Sequence, residues 1–228
     1  MKAFFVTATD TDAGKTFVCA GLLHYWSNMG YKTLAFKPVA SGCQPGDDGL
    51  RNDDALQLIA ASNISLDYET INPYAFAPAI APHIAAQQAG IKIDLDKITS
   101  AIAQYQQKAD YVLVEGVGGW LVPLNERQSL ADLAKLLAFP VILVVRMRLG
   151  CINQALLTAQ AIEQSGLTIA GWVANMMHND NEPAMLYQRD NIDALNCRIN
   201  APLLGVLPHI SAVQLSEEQA FGAIGLKL

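Results

Sequence analysis

The segment that most restricts this chain is FFVTATDTDAGKT, residues 4–16: an apolar β-rich run, a polar turn, then Gly14-Lys15-Thr16 opening an amphipathic stretch. A strand that turns directly into a helix leaves backbone N–H groups bare at the first helical turn, where they hold an anion. The usual phosphate-loop spacing, G-x-x-x-x-G-K-[ST], wants glycine at position 9. Thr9 stands there instead, and Ala8 precedes it. The context is nevertheless that of a phosphate loop, with Lys15 as a point charge and the Thr16 hydroxyl as a ligand for Mg2+.

Beyond this loop, short β-rich runs alternate with helical patterns. Strands are expected at 4–7, 33–39, 111–116, 140–145, 168–175 and 203–208. Helices are expected at 15–29, 54–62, 95–106, 129–138, 153–165 and 184–195, with a short one near 216–221. Such alternation predicts an α/β fold, a single-domain P-loop NTPase-like unit over 1–228 with a mostly parallel sheet and helices on both faces. An apolar content of 52% against 16% charged residues suits a sheet buried on both sides. Ligands in these sheets gather beyond the C-terminal strand ends. The out-of-place polar residues fall there: Thr9–Thr16, Lys37–Ser41, Glu115–Gly119, Arg146–Asn153, Asn175 and Pro208–His209.

A formal net charge of −6 without a Lys/Arg cluster speaks against a nucleic-acid partner. The longest apolar run, Val141–Val145, is too short to span a bilayer, and the N-terminus reads as a first strand, not a signal peptide. The four cysteines form no C-x-x-C pair, so reduced thiols and a cytoplasmic location are expected.

Glu115 closes an apolar strand just before GVGG, the place of an acid that holds Mg2+ beside the loop threonine. In RNDDAL, Asp53 and Asp54 are equal candidates for a further oxygen ligand, with an N-cap role as the plain alternative. Lys37, followed by PVASG, is placed to project toward the phosphates as a second cation beside Ser41; alone it would read as a surface lysine. LGCIN, residues 149–153, opens a second helix, fit for a carboxylate or simply capped by Asn153.

Taken together, TDTDAGKT, FKPVASG, LRNDDAL, NPYAF…PH, VLVEGVGGW, LGCIN, GWVAN and APLLG resemble the dethiobiotin synthetase family, in the family's order from residue 5 to about 210. The resemblance implies an ATP-dependent ring closure. 7,8-Diaminopelargonic acid takes up CO2 (or bicarbonate) as a carbamate, ATP phosphorylates it, and the second amine closes the ureido ring. Lys15 and Lys37 then offset the repulsion of two anions, while Thr11 and Ser41 position the carbamate. By resemblance, Thr16, Asp54 and Glu115 carry Mg2+, favouring Asp54 over Asp53. Asp12, Ala13, Gly14, Lys15, Thr16 and Phe17, with Glu115, Gly116, Val117 and Gly118, line the nucleotide. Asn175 reads adenine beside Met176, and Pro208, His209 and Ile210 border the base. The family is homodimeric, and Gly150, Cys151, Ile152, Asn153 and Tyr187 receive the substrate carboxylate at the subunit interface.

Three departures stand out. The family runs a lengthened loop, G-x-x-x-x-x-G-K-T, so Thr9 is regular and Ala8 replaces the first glycine. A methyl there is tolerated at negative φ, so Ala8 is expected in a β-like conformation. Residues 79–81 are Ala-Ile-Ala where the family commonly has Pro-Thr-Ser, and Asp12 is shorter than the frequent Glu. Among rivals, a partition- or Min-type switch ATPase wants a signature lysine five residues before Lys15, where Asp10 stands. A glutamine-dependent amidoligase of cobalamin synthesis would need a further glutaminase domain, for which the chain is expected to end too soon. A degenerate nucleotide-binding scaffold is opposed by retention of Lys15, Thr16, Lys37, Ser41, Asp54 and Glu115.

Overall fold

A computed structural model describes residues 1–176 and 185–208. His209, Ile210, the first residue of the helix expected at 184–195 and the one expected near 216–221 lie outside the described residues. The frame consists of β1 (Lys2–Ala8), α1 (Lys15–Asn28), β2 (Thr33–Phe36), β3 (Val39–Ser41), β4 (Gln44–Gly46), β5 (Gly49–Arg51), α2 (Asp53–Ala61), α3 (Tyr68–Ile71), β6 (Tyr74–Phe76) and α4 (Pro82–Gln88). It continues through α5 (Leu95–Tyr105), β7 (Tyr111–Glu115), α6 (Leu130–Leu137), β8 (Val141–Arg146), α7 (Cys151–Gln164), β9 (Ile169–Asn175), α8 (Gln188–Asn196) and β10 (Leu203–Leu207).

Six strands form one sheet in the order β10-β9-β8-β1-β7-β2, every neighbouring pair parallel. Parallel pairing needs a crossover between strands, and the helices supply it on both faces. Alternate side chains of one strand therefore enter different cores. Val112 and Val114 join Phe5 and Leu143 under α5, α6 and α7, while Tyr111 and Leu113 join Val6 and Ile142 under α1 and α2. Burial on both faces explains why β7 and β8 read as continuous apolar runs without alternation.

Several boundaries differ from expectation. The strand expected over 33–39 stops at Phe36. Pro38 has no N–H to continue a ladder, and the chain crosses to a separate two-stranded parallel sheet in which Val39–Ser41 pairs with Tyr74–Phe76. The segment between β3 and α2, QPGDDGLR, forms an antiparallel hairpin, Gln44 opposite Arg51, which periodicity did not reveal in strands of three residues. The short helices α3 and α4 were likewise unforeseen.

Helix α7 begins at Cys151, not Asn153. Its N-cap is Gly150 at φ 92, so the expected capping role of Asn153 is not realised. Helix α8 begins at Gln188, after Tyr187 in the left-handed region at φ 54. The cap of α2 is Asn52, whose side chain accepts from Ala55 N–H, and this leaves Asp53 and Asp54 in the first helical turn.

Candidate functional site

The strand-end placement of the polar residues is realised in an open cleft of about 970 Å3 at the C-terminal edge of β1, β2 and β7. Ala8 is the last residue of β1, fully buried, and it is absent from the residues with positive φ. Its methyl thus costs the loop nothing, as expected. The left-handed turns of the loop fall later, at Asp12 (φ 56) and Gly14 (φ 87).

The loop is braced from several directions. Thr9 N–H donates to Val144 O at 3.0 Å. Asp10, in the position where a Min-type ATPase carries lysine, accepts Thr11 N–H on Oδ1 at 2.8 Å and pairs through Oδ2 with Arg148 at 3.0 Å. Beneath the loop, Asn175 is buried and donates from Nδ2 to Ala13 O at 2.8 Å. The amide expected to read the base is therefore engaged with the loop itself.

Four charged groups and a hydroxyl converge at the foot of the cleft. Thr16 Oγ1 donates to Glu115 Oε1 at 2.8 Å. Lys37 Nζ donates to that same Oε1, to Asp54 Oδ2 at 3.0 Å and to Gly116 O at 3.3 Å. Lys15 Nζ donates to Gly118 O at 2.8 Å and to Asp10 O at 3.4 Å. Lys37, Lys15 and Glu115 are all buried, whereas the Asp54 side chain is 46% exposed and faces the opening. Gly116 packs closely, since a Cβ there would lie 2.6 Å from Leu130 Cδ2 and the leucine would have to shift.

The electrostatics follow from this crowding. Burial would lower the Lys37 ammonium, but the Glu115 and Asp54 carboxylates outweigh it and hold the pKa above its ordinary value. Lys15 is shifted down, by burial first and by the Lys37 charge second. Burial would raise Asp54, yet Lys37, by charge and by hydrogen bond, holds it below the usual carboxylate value. A depressed folded pKa means that the Asp54 contribution to stability is complete above the unfolded value of about 4 and fades as pH falls through the lower folded value. The stability difference between the wild type and Asp54→Asn should accordingly shrink as urea midpoints are followed from pH 6 down to about pH 3.

Glu115 Oε2 is buried without a hydrogen-bond partner among the described residues, although the Cys19 thiol lies near enough that, after burial, the carboxylate is what pushes its pKa well up. That thiol stays protonated and inert. An orphaned carboxylate oxygen beside a threonine hydroxyl and a second carboxylate is an all-oxygen donor set, which fits Mg2+. Among the described residues no group of three or more His, Cys, Asp or Glu side chains comes together. Two carboxylates and a hydroxyl nevertheless suit an ion that keeps several waters and takes phosphate oxygens.

Ser41 lines the cleft with a buried Oγ that has no partner among the described residues, and Thr11, Asp12 and Phe17 border it as well. Residues 79–82 form an apolar wall, extended by Val122 and Pro123. Of the remaining expected residues, Met176 and Pro208 line a second cavity of about 410 Å3 with Gln188, Arg189, Ile192 and Val206. Gly150–Asn153 and Tyr187 line neither. They sit near strongly exposed side chains instead, Leu149 at 93% and Leu186 at 78%, with Tyr187 itself at 77%.

Comparison with known proteins matches this arrangement to a family. The family model described as an AAA domain matches residues 2–217. The chain is 52% identical over 211 residues to the ATP-dependent dethiobiotin synthetase BioD of Pseudomonas aeruginosa PAO1, covering 92% of this chain and 91% of that protein. The chain belongs to the dethiobiotin synthetase family. The BioD protein of Cellvibrio japonicus is also 52% identical, over 92% of this chain and 90% of its own length. Marinobacter nauticus BioD is 48% identical over 95% and 92%. Among solved structures, the cell division ATPase MinD of Pyrococcus furiosus covers 97% of this chain and 95% of its own, with a TM-score of 0.59 at 17% identity. A ParA family ATPase of Chlorobium tepidum gives a TM-score of 0.53 at 14% identity, covering 98% and 90%. These two likenesses show that the chain has the P-loop NTPase fold.

Proposed function

We propose that the protein catalyses the ATP- and Mg2+-dependent closure of 7,8-diaminopelargonic acid with CO2 to dethiobiotin. The observation that carries this reading is one cleft that holds two buried ammonium groups, Lys37 on the carboxylates of Asp54 and Glu115 and Lys15 on Gly118 O, with the Thr16 hydroxyl on Glu115 beside them. One amine adds to CO2 and loses a proton, giving the carbamate. The carbamate oxygen attacks the γ-phosphorus of ATP and ADP departs. The second amine then attacks the carbonyl carbon of the carbamic-phosphoric anhydride, phosphate leaves, and the ureido ring closes with loss of a further proton.

Both partners in the phosphoryl transfer are anions, and the protein's task is largely positioning and charge stabilisation. Lys37 reaches the reacting oxygens from β2's end and Lys15 reaches the phosphates, both from sites where low water content strengthens their fields. Ser41 Oγ and the Thr11 hydroxyl hold the carbamate in line. Thr16, Asp54 and Glu115 would hold Mg2+, which supplies charge neutralisation at the phosphate oxygens. Asp12, Ala13, Gly14, Phe17, Gly116, Val117 and Gly118 surround the nucleotide, with the base toward Asn175, Met176 and Pro208.

The carboxylate end of the substrate is assigned to the start of α7, Gly150–Asn153, with Tyr187. These residues line neither of the two cavities described, and by the family resemblance they serve the cleft of a second copy in a homodimer. A cytoplasmic location accords with four unpaired cysteines. The test is phosphate release from Mg·ATP and bicarbonate with and without the diamine, with mass detection of dethiobiotin. Diamine-dependent release with product formed is expected; release indifferent to the diamine overturns the reading in favour of a switch ATPase.

A further inference from the structure

Two motifs that this reaction leaves without a role, Arg51-Asn52-Asp53 and Asn72-Pro73-Tyr74, are tied together by one hydroxyl. Asn52 N–H donates to Tyr68 Oη at 2.8 Å, and Tyr68 Oη donates to Asn72 Oδ1 at 2.9 Å. Asn72 Nδ2 donates in turn to Lys37 O at 2.6 Å. Both asparagines are buried, Asn52 at 8% and Asn72 at 3% exposure.

The need for this relay arises where β2 ends. Lys37 lies outside any strand, and Pro38 behind it has no N–H, so the sheet does not pair its main chain. The last residue of α3 and the one after it do so instead: Lys37 N–H donates to Ile71 O at 3.0 Å, and its carbonyl takes the Asn72 amide. On the other side, Asn52 caps α2 by accepting Ala55 N–H at 3.2 Å, and Asp54 sits in the first turn of that helix. The circuit closes through the 3.0 Å Lys37–Asp54 ion pair. Tyr68 Oη joins the half that carries Asp54 to the half that fastens Lys37. Its ring is held separately, under the Arg51 guanidinium at 4.2 Å, with Arg51 also pairing with Glu69 at 3.3 Å.

We propose that Tyr68 is a positioning residue, whose hydroxyl holds Lys37 and Asp54 in register across the cleft so that Asp54 can serve the Mg·nucleotide. The inference rests on the reading of Asp54 as an Mg2+ ligand. A tyrosine hydroxyl is suited to the task because it donates and accepts at once.

The test is calorimetric titration of the full chain with ADP, with and without Mg2+, which needs no turnover. Tyr68→Phe is expected to weaken Mg·ADP about five- to tenfold, the loss of roughly one net hydrogen bond, while Mg-free ADP changes by less than about twofold. Asn72→Ala breaks the same bridge from the other side and should reproduce this, so the result stands on it if Tyr68→Phe folds poorly. Arg51→Ala, which loosens the ring and keeps the hydroxyl, should leave Mg·ADP within about twofold of wild type. Tyr68→Phe on top of Asp54→Asn should add less than about twofold, because the group it positions is already gone. Equal losses with and without Mg2+, an Arg51→Ala loss matching that of Tyr68→Phe, or multiplicative effects in the double variant would each reduce Tyr68 to a packing residue and overturn the proposal. A wild type that binds Mg·ADP normally but forms no dethiobiotin overturns the substrate assignment alone, leaving the relay to be judged on the titrations.

Discussion

Lys37→Met should lower dethiobiotin formation by about a thousandfold or more, the scale of removing a preorganised charge from the transition state of a phosphoryl transfer. Methionine keeps the length and apolar stem of lysine, so the loss is of the ammonium and its hydrogen bonds. Lys37 is buried and donates to Asp54, Glu115 and Gly116 together, and no other cation described in the structure reaches all three. Removing it also leaves Glu115, buried with an already orphaned Oε2, without its cation. Breaking a buried pair by deleting one partner typically costs about 3 to 5 kcal/mol. The variant should therefore lose thermal stability as well as rate, and saturating Mg·ATP should recover the fold without the rate. Single-turnover ADP formation with the diamine present, read beside the melting temperature, separates the two effects. A Lys37→Met enzyme within tenfold of wild type would remove Lys37 from the chemistry.

Gly14→Ala is the second large effect expected. Gly14 sits at φ 87, and a Cβ there would lie 2.1 Å from Asn175 Nδ2, inside any permitted contact. Asn175 would have to withdraw and release Ala13 O, so the loop loses its brace where it must face the phosphates. The backbone term is about 1 kcal/mol and the broken buried hydrogen bond adds about 1 to 3 kcal/mol. ATP affinity should fall by about a hundredfold, from this distortion acting directly on the phosphate cradle. Gly30→Ala is the matched control: φ is 85, but nothing lies within 4 Å of its added Cβ. It should cost about 1 kcal/mol of stability and leave nucleotide affinity unchanged. Isothermal titration with ATP and thermal melts of the two variants test the pair, and equal ATP affinities would mean that Asn175 does not shape the loop.

Much of this organisation was written in local sequence. Alternation of apolar strands with amphipathic helices sufficed for a parallel sheet, because strands buried on both faces leave few other solutions. The glycine, lysine and threonine at 14–16 and the acid before GVGG marked the ends of β1 and β7 by chemistry confined to a few adjacent residues. Ala8 could be placed in a β-like conformation from steric limits alone, and it ends β1.

Other features required the assembled chain. Sequence spacing left Asp53 and Asp54 equivalent; Asn52 as the cap of α2, and Lys37 arriving from β2, decide that Asp54 meets the ammonium. The bond from Asn175, buried beneath the loop, to Ala13 O comes from the packing of β9 against the loop. The segment holding Tyr68 and Asn72 carried no periodic signal, since α3 is a single turn, and the role of the segment lies in hydrogen bonds from Tyr68 and Asn72 to residues 16 and 35 positions away. Secondary structure and the phosphate loop depend on neighbours along the chain, which sequence records directly. The pairing of buried charges and the satisfaction of backbone groups at a broken strand depend on neighbours in space, and these exist only once the sheet has brought β1, β2 and β7 side by side.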